Sequence, residues 1–334
     1  MPALRRRRTP NFGRVFTSRI RTVATVLVVT IALTAQLPAA AYPPQVLVFV
    51  ANTGSDNVTV YDTRLGEVIA TVGVGDGPVG VGATPDGDRV YVTNEQSDSV
   101  SVLDTRTQLV IATTPVGDKP FGVAATDTYA YVANFGSDSV TVLDITTQKP
   151  VGEIPVGRFP HTPIVSPDGS RVYVTNNGAG SVTVIDTRIN KPIGTIPVGR
   201  FPAGIAAGPR GDRLFVANTG DDTVTVVGTT TGRPIGTIPV GDAPMGLSVT
   251  PREVVYVANA GADTISVINF PSASNTTTAA VNRRPEGAAA APDNSFVYIT
   301  NTASNTMSVI DTATSKPVLT VPVGQQPEGV TVTG

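Results

Sequence analysis

One short hydrophobic segment ending in Asn recurs seven times in this chain of 334 residues. The seven copies end at Asn52, Asn94, Asn134, Asn176, Asn218, Asn259 and Asn301, with spacings of 42, 40, 42, 42, 41 and 42 residues. Each copy continues six residues later with apolar-hydroxyl-apolar alternation, as in Val100-Ser101-Val102. A period near 40 residues is typical of propeller blades or helical arrays, and strict alternation favours strands. The repeat therefore excludes a helical solenoid.

Each repeat of about 42 residues reads as four short strands. An inner strand (80–84 in one copy) is followed by the strand ending in Asn, then by the alternating strand, and then by an outer strand ending in Pro-Val-Gly. Turn residues such as Pro85-Asp86-Gly87 separate the strands. Four antiparallel strands at this period form one blade, so the sequence predicts an all-β, seven-bladed β-propeller.

The two ends of the repeated region are complementary. The first copy (46–52) starts at a second strand without an inner strand before it, and the chain ends in an inner strand (329–333) with nothing after it. Pairing of these two pieces would complete the seventh blade and remove an exposed inner edge. We therefore expect the C-terminal strand to close the ring against the N-terminal blade.

Residues 1–41 differ from the repeats in charge and composition. They carry seven Arg and no acidic residue, followed by an apolar run (23–35) and by Ala39-Ala40-Ala41. This order is typical of a secretory signal peptide cut after Ala41, and an uncleaved N-terminal anchor (22–41) is the alternative. The predicted organisation is a signal peptide or anchor (1–41) and one propeller domain (42–334). We expect a secreted or extracytoplasmic cell-surface protein, with membrane contact only through an uncleaved segment.

Composition excludes several functions. The chain has no Cys, which removes disulfides, thiolate metal sites and cysteine nucleophiles. After Ala41 it carries 17 basic and 26 acidic residues, so we expect no nucleic-acid partner. One His cannot form a three-His metal site, and no phosphate-binding loop is present.

The repeat resembles the YVTN family of β-propellers, which occurs in surface-layer and secreted proteins. The resemblance covers 46–334 and rests on Tyr91-Val92-Thr93-Asn94, on the segment from Ser97 to Asp104 and on Pro115-Val116-Gly117. The copy at 262–285 departs most, because Asn269 replaces an Asp and Pro-Val-Gly is missing. We expect a frayed outer strand there.

One register position varies between copies that otherwise agree. The residue after the Pro that opens each inner strand is Val79, Phe121, His161, Ala203, Met245, Glu286 or Glu328. These residues are expected to surround the mouth of the central channel, where propellers commonly bind ligands. The predicted ligand-binding residues at the mouth are Phe121, Arg158, His161, Arg200, Glu286 and Glu328.

Two interpretations of the acidic residues remain open. Glu286 and Glu328 form a divalent-cation site or an acid/base pair assisted by His161, or they are solvated rim charges paired with Arg283 and Arg284. Arg158 and Arg200 open consecutive Arg-Phe-Pro loops and could hold an anionic group, although duplication of adjacent blades explains them equally well. The recurrent Asn residues are interpreted as structural, bonding backbone groups of the turns.

Two functions follow from these residues. The first is a noncatalytic cell-surface or secreted binding scaffold without a cofactor, whose partner is an extracytoplasmic protein, a cell-wall polymer or a small anionic ligand. The alternative is a lactonase-like or lyase-like propeller enzyme. In that case His161, Glu286 and Glu328 would be catalytic, or the two Glu would bind a divalent cation at the channel mouth.

Overall fold

The computed structural model describes residues 46–270 and 276–333, and the predicted signal peptide or anchor lies outside them. None of the helices among these residues has the length and apolar character needed to cross a bilayer. Three single-turn 3₁₀ helices occur there, at Glu95–Ser97, Asn177–Ala179 and Thr302–Ser304. The remaining regular structure of this part of the chain is β-strand.

Valine, isoleucine and threonine dominate the strands, and their branched side chains favour extended backbone. In chain order the strands are β1 (Leu47–Asn52), β2 (Asn57–Asp62), β3 (Glu67–Gly73), β4 (Pro78–Ala83), β5 (Arg89–Asn94), β6 (Ser99–Asp104), β7 (Leu109–Pro115), β8 (Pro120–Ala125), β9 (Tyr129–Asn134), β10 (Ser139–Asp144), β11 (Lys149–Pro155), β12 (Pro160–Val165), β13 (Arg171–Asn176), β14 (Ser181–Asp186), β15 (Lys191–Pro197), β16 (Pro202–Ala207), β17 (Arg213–Asn218), β18 (Thr223–Gly228), β19 (Arg233–Pro239), β20 (Pro244–Val249), β21 (Val254–Asn259), β22 (Thr264–Asn269), β23 (Thr276–Ala280), β24 (Pro285–Ala290), β25 (Phe296–Asn301), β26 (Thr306–Asp311), β27 (Lys316–Pro322) and β28 (Pro327–Val332).

These strands form seven antiparallel four-stranded sheets, as the repeat predicts. Blade 1 has the order β28-β1-β2-β3, and blades 2 to 7 each use four consecutive strands, from β4–β7 to β24–β27. The predicted ring closure is confirmed, because β28 pairs with β1 through Val332 opposite Val48 and Val330 opposite Val50. The N- and C-terminal parts of the propeller therefore share one blade.

Two expectations about strand boundaries need correction. The inner strand of blade 2 begins at Pro78 rather than Gly80, because Pro78 pairs opposite Asn94 before the register shifts. The outer strand of blade 6 is paired rather than frayed: Thr276–Ala280 lies along β22, with Ala280 opposite Thr264. Backbone pairing with β22 holds this strand even without the Pro-Val-Gly sequence.

The core lies between the blades. Seven hydrophobic clusters occupy the seven interfaces, and one of them joins Phe49 and Val60 of blade 1 to Val92 and Leu103 of blade 2. The second and third strands carry most of these buried side chains, whereas the outer strands are largely exposed. Each blade is thus packed on both faces against its neighbours. The inner strands of the seven blades line a central channel.

Candidate functional site

The recurrent Asn residues are structural, and they bond third-strand side chains in addition to the predicted backbone groups, as in the bond from Gly157 N to Asn176 Oδ1. Asn94 lies opposite Ser99 in the β5–β6 pair, and its Nδ2 donates to the hydroxyls of Ser99 and Ser101, both at 3.0 Å. Amides in all seven blades bond third-strand side chains in this way, and the acceptors are hydroxyls except for Asn57 Oδ1 in blade 1. The seven Asn residues are fully buried, so they are not available as a ligand-binding ring.

The residue after the Pro that opens each inner strand lies where the channel opens. This face of the propeller also carries the loops from each outer strand to the next inner strand and the turns after the second strands. The channel there holds a cavity of about 150 Å³. Six of the seven predicted mouth residues line it, and Ala203 is buried with 1% of its surface exposed. The six are Val79, Phe121, His161, Met245, Glu286 and Glu328. The structure thus brings together the acidic and aromatic candidates named from the sequence.

A layer of glycine lies directly below the mouth. A Cβ at Gly80 would collide with the carbonyl oxygen of Phe121, and a Cβ at Gly246 would collide with that of Glu286. Neighbouring inner strands therefore approach so closely that a side chain does not fit between them. Blade 4 is the exception among the seven, because Thr162 takes the place of glycine there.

Two carboxylic acids form the acidic side of the mouth, which we define as Glu286, Glu328 and Arg284. Glu286 is 8% exposed and lies on β24, next to β28, which carries Glu328. Arg284 Nε lies 2.7 Å from Glu286 Oε1, and its side chain is 63% exposed. The guanidinium of Arg284 and the hydroxyl of Thr302 are the groups that favour the charged form of Glu286.

The acidic side has perturbed proton affinities. Burial raises the pKa of Glu328 to about 7, and the charge of Glu286 contributes to the same shift. Burial also raises the pKa of Glu286, while the guanidinium of Arg284 opposes that change. Two nearby carboxylates in a poorly hydrated site resist simultaneous ionisation. Glu328 is consequently close to half-protonated at neutral pH, the state suited to a group that takes and returns a proton.

The opposite part of the mouth is the aromatic side, defined as Phe121, Phe135, Phe159 and His161. The His161 and Phe121 rings have centroids 3.8 Å apart, and Phe135 and Phe159 stack at 4.9 Å with an interplanar angle of 13°. Phe121 and Phe135 connect the two pairs, with centroids 6.2 Å apart. These contacts make a continuous aromatic wall that runs from the channel to the surface.

His161 is a neutral member of this wall. Burial lowers the pKa of its imidazole to about 3, and its Nδ1 lies 2.9 Å from the hydroxyl of Thr162. His161 is 9% exposed and its ring packs at a tilt of 37° against Phe121 on blade 3, whereas the two Glu lie on blades 7 and 1. Within 46–270 and 276–333, no group of three or more His, Asp or Glu side chains is arranged to hold a metal ion.

The two Arg-Phe-Pro loops differ in how their arginines are held. Arg200 forms an ion pair with Asp221 and also donates to the backbone carbonyl of Gly220. Arg158 instead lies over the Phe159 ring, with its guanidinium carbon 5.3 Å from the centroid. Joint binding of an anion by both arginines therefore requires the Arg200–Asp221 pair to break.

Several residues of the site were not singled out from the sequence. The hydroxyl of Thr53 interacts with Glu328 and that of Thr302 with Glu286, and both threonines donate to a Pro carbonyl of the next inner strand at 2.7 Å. Phe135 occupies the equivalent position in blade 3. The same comparison of copies, applied one residue after the recurrent Asn, would have identified all three.

The fold and this channel mouth define a seven-bladed β-propeller whose entrance carries an acidic side and an aromatic side. A family model described as "Lactonase, 7-bladed beta-propeller" matches residues 39–191. This stretch includes Phe121 and His161 but neither Glu286 nor Glu328. No curated protein matches the chain.

Solved structures with low sequence identity share the fold. Hydrazine synthase from Kuenenia stuttgartiensis is similar with a TM-score of 0.70 and 23% identity, covering 76% of this chain and 89% of that one. A candidate 6-phosphogluconolactonase from Bacteroides fragilis has a TM-score of 0.74 and 16% identity, covering 87% and 99%. Dihydro-heme d1 dehydrogenase NirN, solved with its ligand, has a TM-score of 0.64 and 17% identity, covering 85% and 67%.

Proposed function

We propose that this protein is a lactonase-like propeller enzyme that opens a lactone or a related ester at the channel mouth, with Glu328 as the general base. The observation that carries the proposal is the pair of carboxylic acids lining one cavity, with the pKa of Glu328 raised to about 7. A carboxyl group with a pKa near the working pH is suited to move protons in both directions. The family match to residues 39–191 and the Bacteroides fragilis structure support this chemistry over a noncatalytic scaffold.

In the proposed reaction, the Glu328 carboxylate takes a proton from a water molecule as the water oxygen bonds to the lactone carbonyl carbon. The C–O bond of the lactone ring then breaks, and the departing oxygen receives that proton from the Glu328 carboxylic acid. One lactone and one water thus give one hydroxy acid.

The test is hydrolysis of a panel of lactones and aryl esters by the purified full chain. We expect Glu328→Gln to lower kcat/KM by about 10²- to 10⁴-fold, because an amide cannot accept the proton. The wild-type rate should fall below pH 7 as Glu328 becomes protonated. Glu67→Gln is the matched control, because Glu67 is exposed on the outer strand β3. Failure of the wild-type protein to hydrolyse any lactone or ester would leave the binding scaffold as the better interpretation.

The same assay tests the metal alternative. If chelation abolishes hydrolysis and a divalent cation restores it, Glu286 and Glu328 act as cation ligands rather than as an acid/base pair. We expect chelation to leave the rate unchanged.

We also propose that the enzyme is an exported YVTN-type propeller that acts on a small molecule outside the cytoplasm. The Arg-rich start, the apolar run and the Ala39-Ala40-Ala41 segment support this proposal. N-terminal sequencing of the protein recovered from the cell envelope or medium should begin at Tyr42. A mature chain that begins at Met1 and remains with the membrane would indicate an anchor instead.

A further inference from the structure

The two sides of the mouth line the same cavity, although they offer a ligand different chemistry. Glu286 and Glu328 contribute carboxyl groups, and Phe121 and His161 contribute two rings in contact, tilted by 37°, from blades 3 and 4. Val79 and Met245 are the other mouth residues that line the cavity, and both are apolar. Most of the circumference is thus formed by side chains that give a polar ligand little to bind.

The size of the cavity limits what can enter it. Its volume of about 150 Å³ is comparable to that of an engineered apolar protein cavity that binds benzene. Below the mouth, the glycine layer and the aliphatic side chains of Val81, Val123, Ile205, Leu247 and Val330 line the cavity. One flat six-membered ring therefore fills most of the buried space.

The hydrogen-bonding groups are concentrated on one side. Glu286 and Glu328 place carboxyl groups on the acidic side, where a ligand N–H, O–H or bound water finds an acceptor. On the aromatic side, His161 Nδ1 contacts the Thr162 hydroxyl, which leaves the imidazole Nε2 as the ring atom able to bond a ligand. A sugar lactone, with hydroxyls around its whole ring, would leave several of them unpaired against Phe121, Val79 and Met245.

Charge also disfavours a phosphorylated ligand. Arg284, the cation beside the two Glu, is neutralised by Glu286 at 2.7 Å. Arg200 is likewise paired with Asp221. A phosphate at the mouth would approach two carboxyl groups without an unpaired guanidinium on the acidic side to balance them.

From this geometry we infer that the substrate is an aromatic lactone or aryl ester whose flat ring stacks against Phe121 and His161, while its carbonyl group faces Glu328. This inference rests on the proposed function and names its substrate class. Contact with the face of Phe121 and with the tilted His161 ring holds the aromatic ring of the substrate, and the acidic side acts on the ester bond across the channel. Phe121 is accordingly a specificity-determining residue.

A matched set of substrates isolates the contribution of the ring. Dihydrocoumarin and δ-valerolactone share a six-membered lactone but differ by one fused benzene ring, and δ-gluconolactone replaces that ring with hydroxyls. Because the fused ring also makes the departing oxygen a phenolate, each kcat/KM is divided by the rate of hydroxide hydrolysis of the same lactone, and we expect this ratio to be at least about tenfold higher for dihydrocoumarin than for either of the others. Equal values, or a preference for δ-gluconolactone, would overturn the inference.

The variants locate the effect on the aromatic side. Phe121→Leu keeps the site apolar but removes the stacking face, so kcat/KM for dihydrocoumarin should fall about fivefold with less than a twofold change for δ-valerolactone. Phe201→Leu is the matched control, because Phe201 is 55% exposed on the same face and does not line the cavity. An equal loss in both variants would contradict stacking on Phe121.

Binding of chroman and tetrahydropyran separates this inference from the proposed function, because neither ether has an ester bond to hydrolyse. Chroman should raise the Tm of the wild-type protein more than tetrahydropyran does, and Phe121→Leu should reduce the difference. If chroman binds in this way and no lactone is hydrolysed, the proposed function fails while the ring preference holds. If lactones are hydrolysed without any preference for chroman, the inference fails alone.

Discussion

The acidic and aromatic sides of the channel mouth use the same register position of one repeat, yet they are built on different parts of the chain. Phe121 and His161 stand on blades 3 and 4, each made from four consecutive strands. Glu286 and Glu328 stand on blades 7 and 1, and blade 1 exists only because β28 pairs with β1. The comparison teaches that a regular backbone can carry opposite chemistry at equivalent positions.

The two sides also respond to burial in opposite directions. Burial disfavours the charged form of any group, so it raises the pKa of Glu328 to about 7 and lowers that of His161 to about 3. At neutral pH the aromatic side is therefore uncharged, and the acidic side is close to a change of charge.

The largest expected effect comes from removing the closing strand. Deletion of residues 329–334 takes away most of β28, which opens the ring and exposes the inner edge of β1. We expect loss of cooperative thermal unfolding, measured by calorimetry or circular dichroism. Deletion of Gly334 alone is the control. If the longer truncation melts like the full chain, the closing strand does not hold the ring together.

Replacement of Glu328 by an uncharged side chain should stabilise the protein at high pH. The folded-state pKa of Glu328, about 7, lies above its ordinary value of 4.5, so ionisation costs stability as pH rises from 4.5 to 7. Glu328→Gln should therefore change the free energy of unfolding more favourably at pH 8 than at pH 4. The difference between the two effects should be roughly 3 kcal/mol. Urea unfolding at both pH values measures this difference. The exposed control Glu67→Gln should show no comparable pH dependence.

The aromatic side should show the opposite pH dependence. The folded-state pKa of His161, about 3, lies below its ordinary value of 6.5. The neutral imidazole therefore contributes fully to the free energy of unfolding above pH 6.5, and this contribution is lost as pH falls towards 3. Relative to His161→Gln, the wild-type protein should lose about 2 kcal/mol of stability between pH 8 and pH 5. Parallel stability curves for the two proteins would show that the imidazole is not kept neutral by burial.

The smallest expected change in stability comes from replacing Thr162, which stands where the other six blades have glycine. Thr162→Gly restores the residue found in the other six blades and removes the hydroxyl beside His161 Nδ1. Loss of one hydrogen bond should cost about 1 kcal/mol and leave the His161 ring less well fixed. Thermal unfolding together with the NMR signals of the imidazole checks both effects. Thr187→Ala is a comparison that removes a threonine hydrogen bond far from the mouth, at the turn of Gly169.

Sequence reasoning identified the blades, their number and the closing strand, because each depends on short-range alternation and on a period that a single chain displays. It also selected the mouth position, since one residue varied where its neighbours did not. It did not find Thr53, Thr302 or Phe135, and it predicted backbone partners for the Asn amides but not the third-strand hydroxyls. Those contacts depend on the position of one strand against another, which the repeat alone does not specify.

The sequence by itself determined the seven-bladed architecture and the candidate residues, because hydrophobic alternation and turn residues act locally in every copy. Only the tertiary structure decided that Glu328 is nearly half-protonated at neutral pH, that His161 is neutral, and that both face one cavity of about 150 Å³. The reason is physical: proton affinity depends on burial and on neighbouring charge. Both arise when strands far apart in sequence meet around the channel.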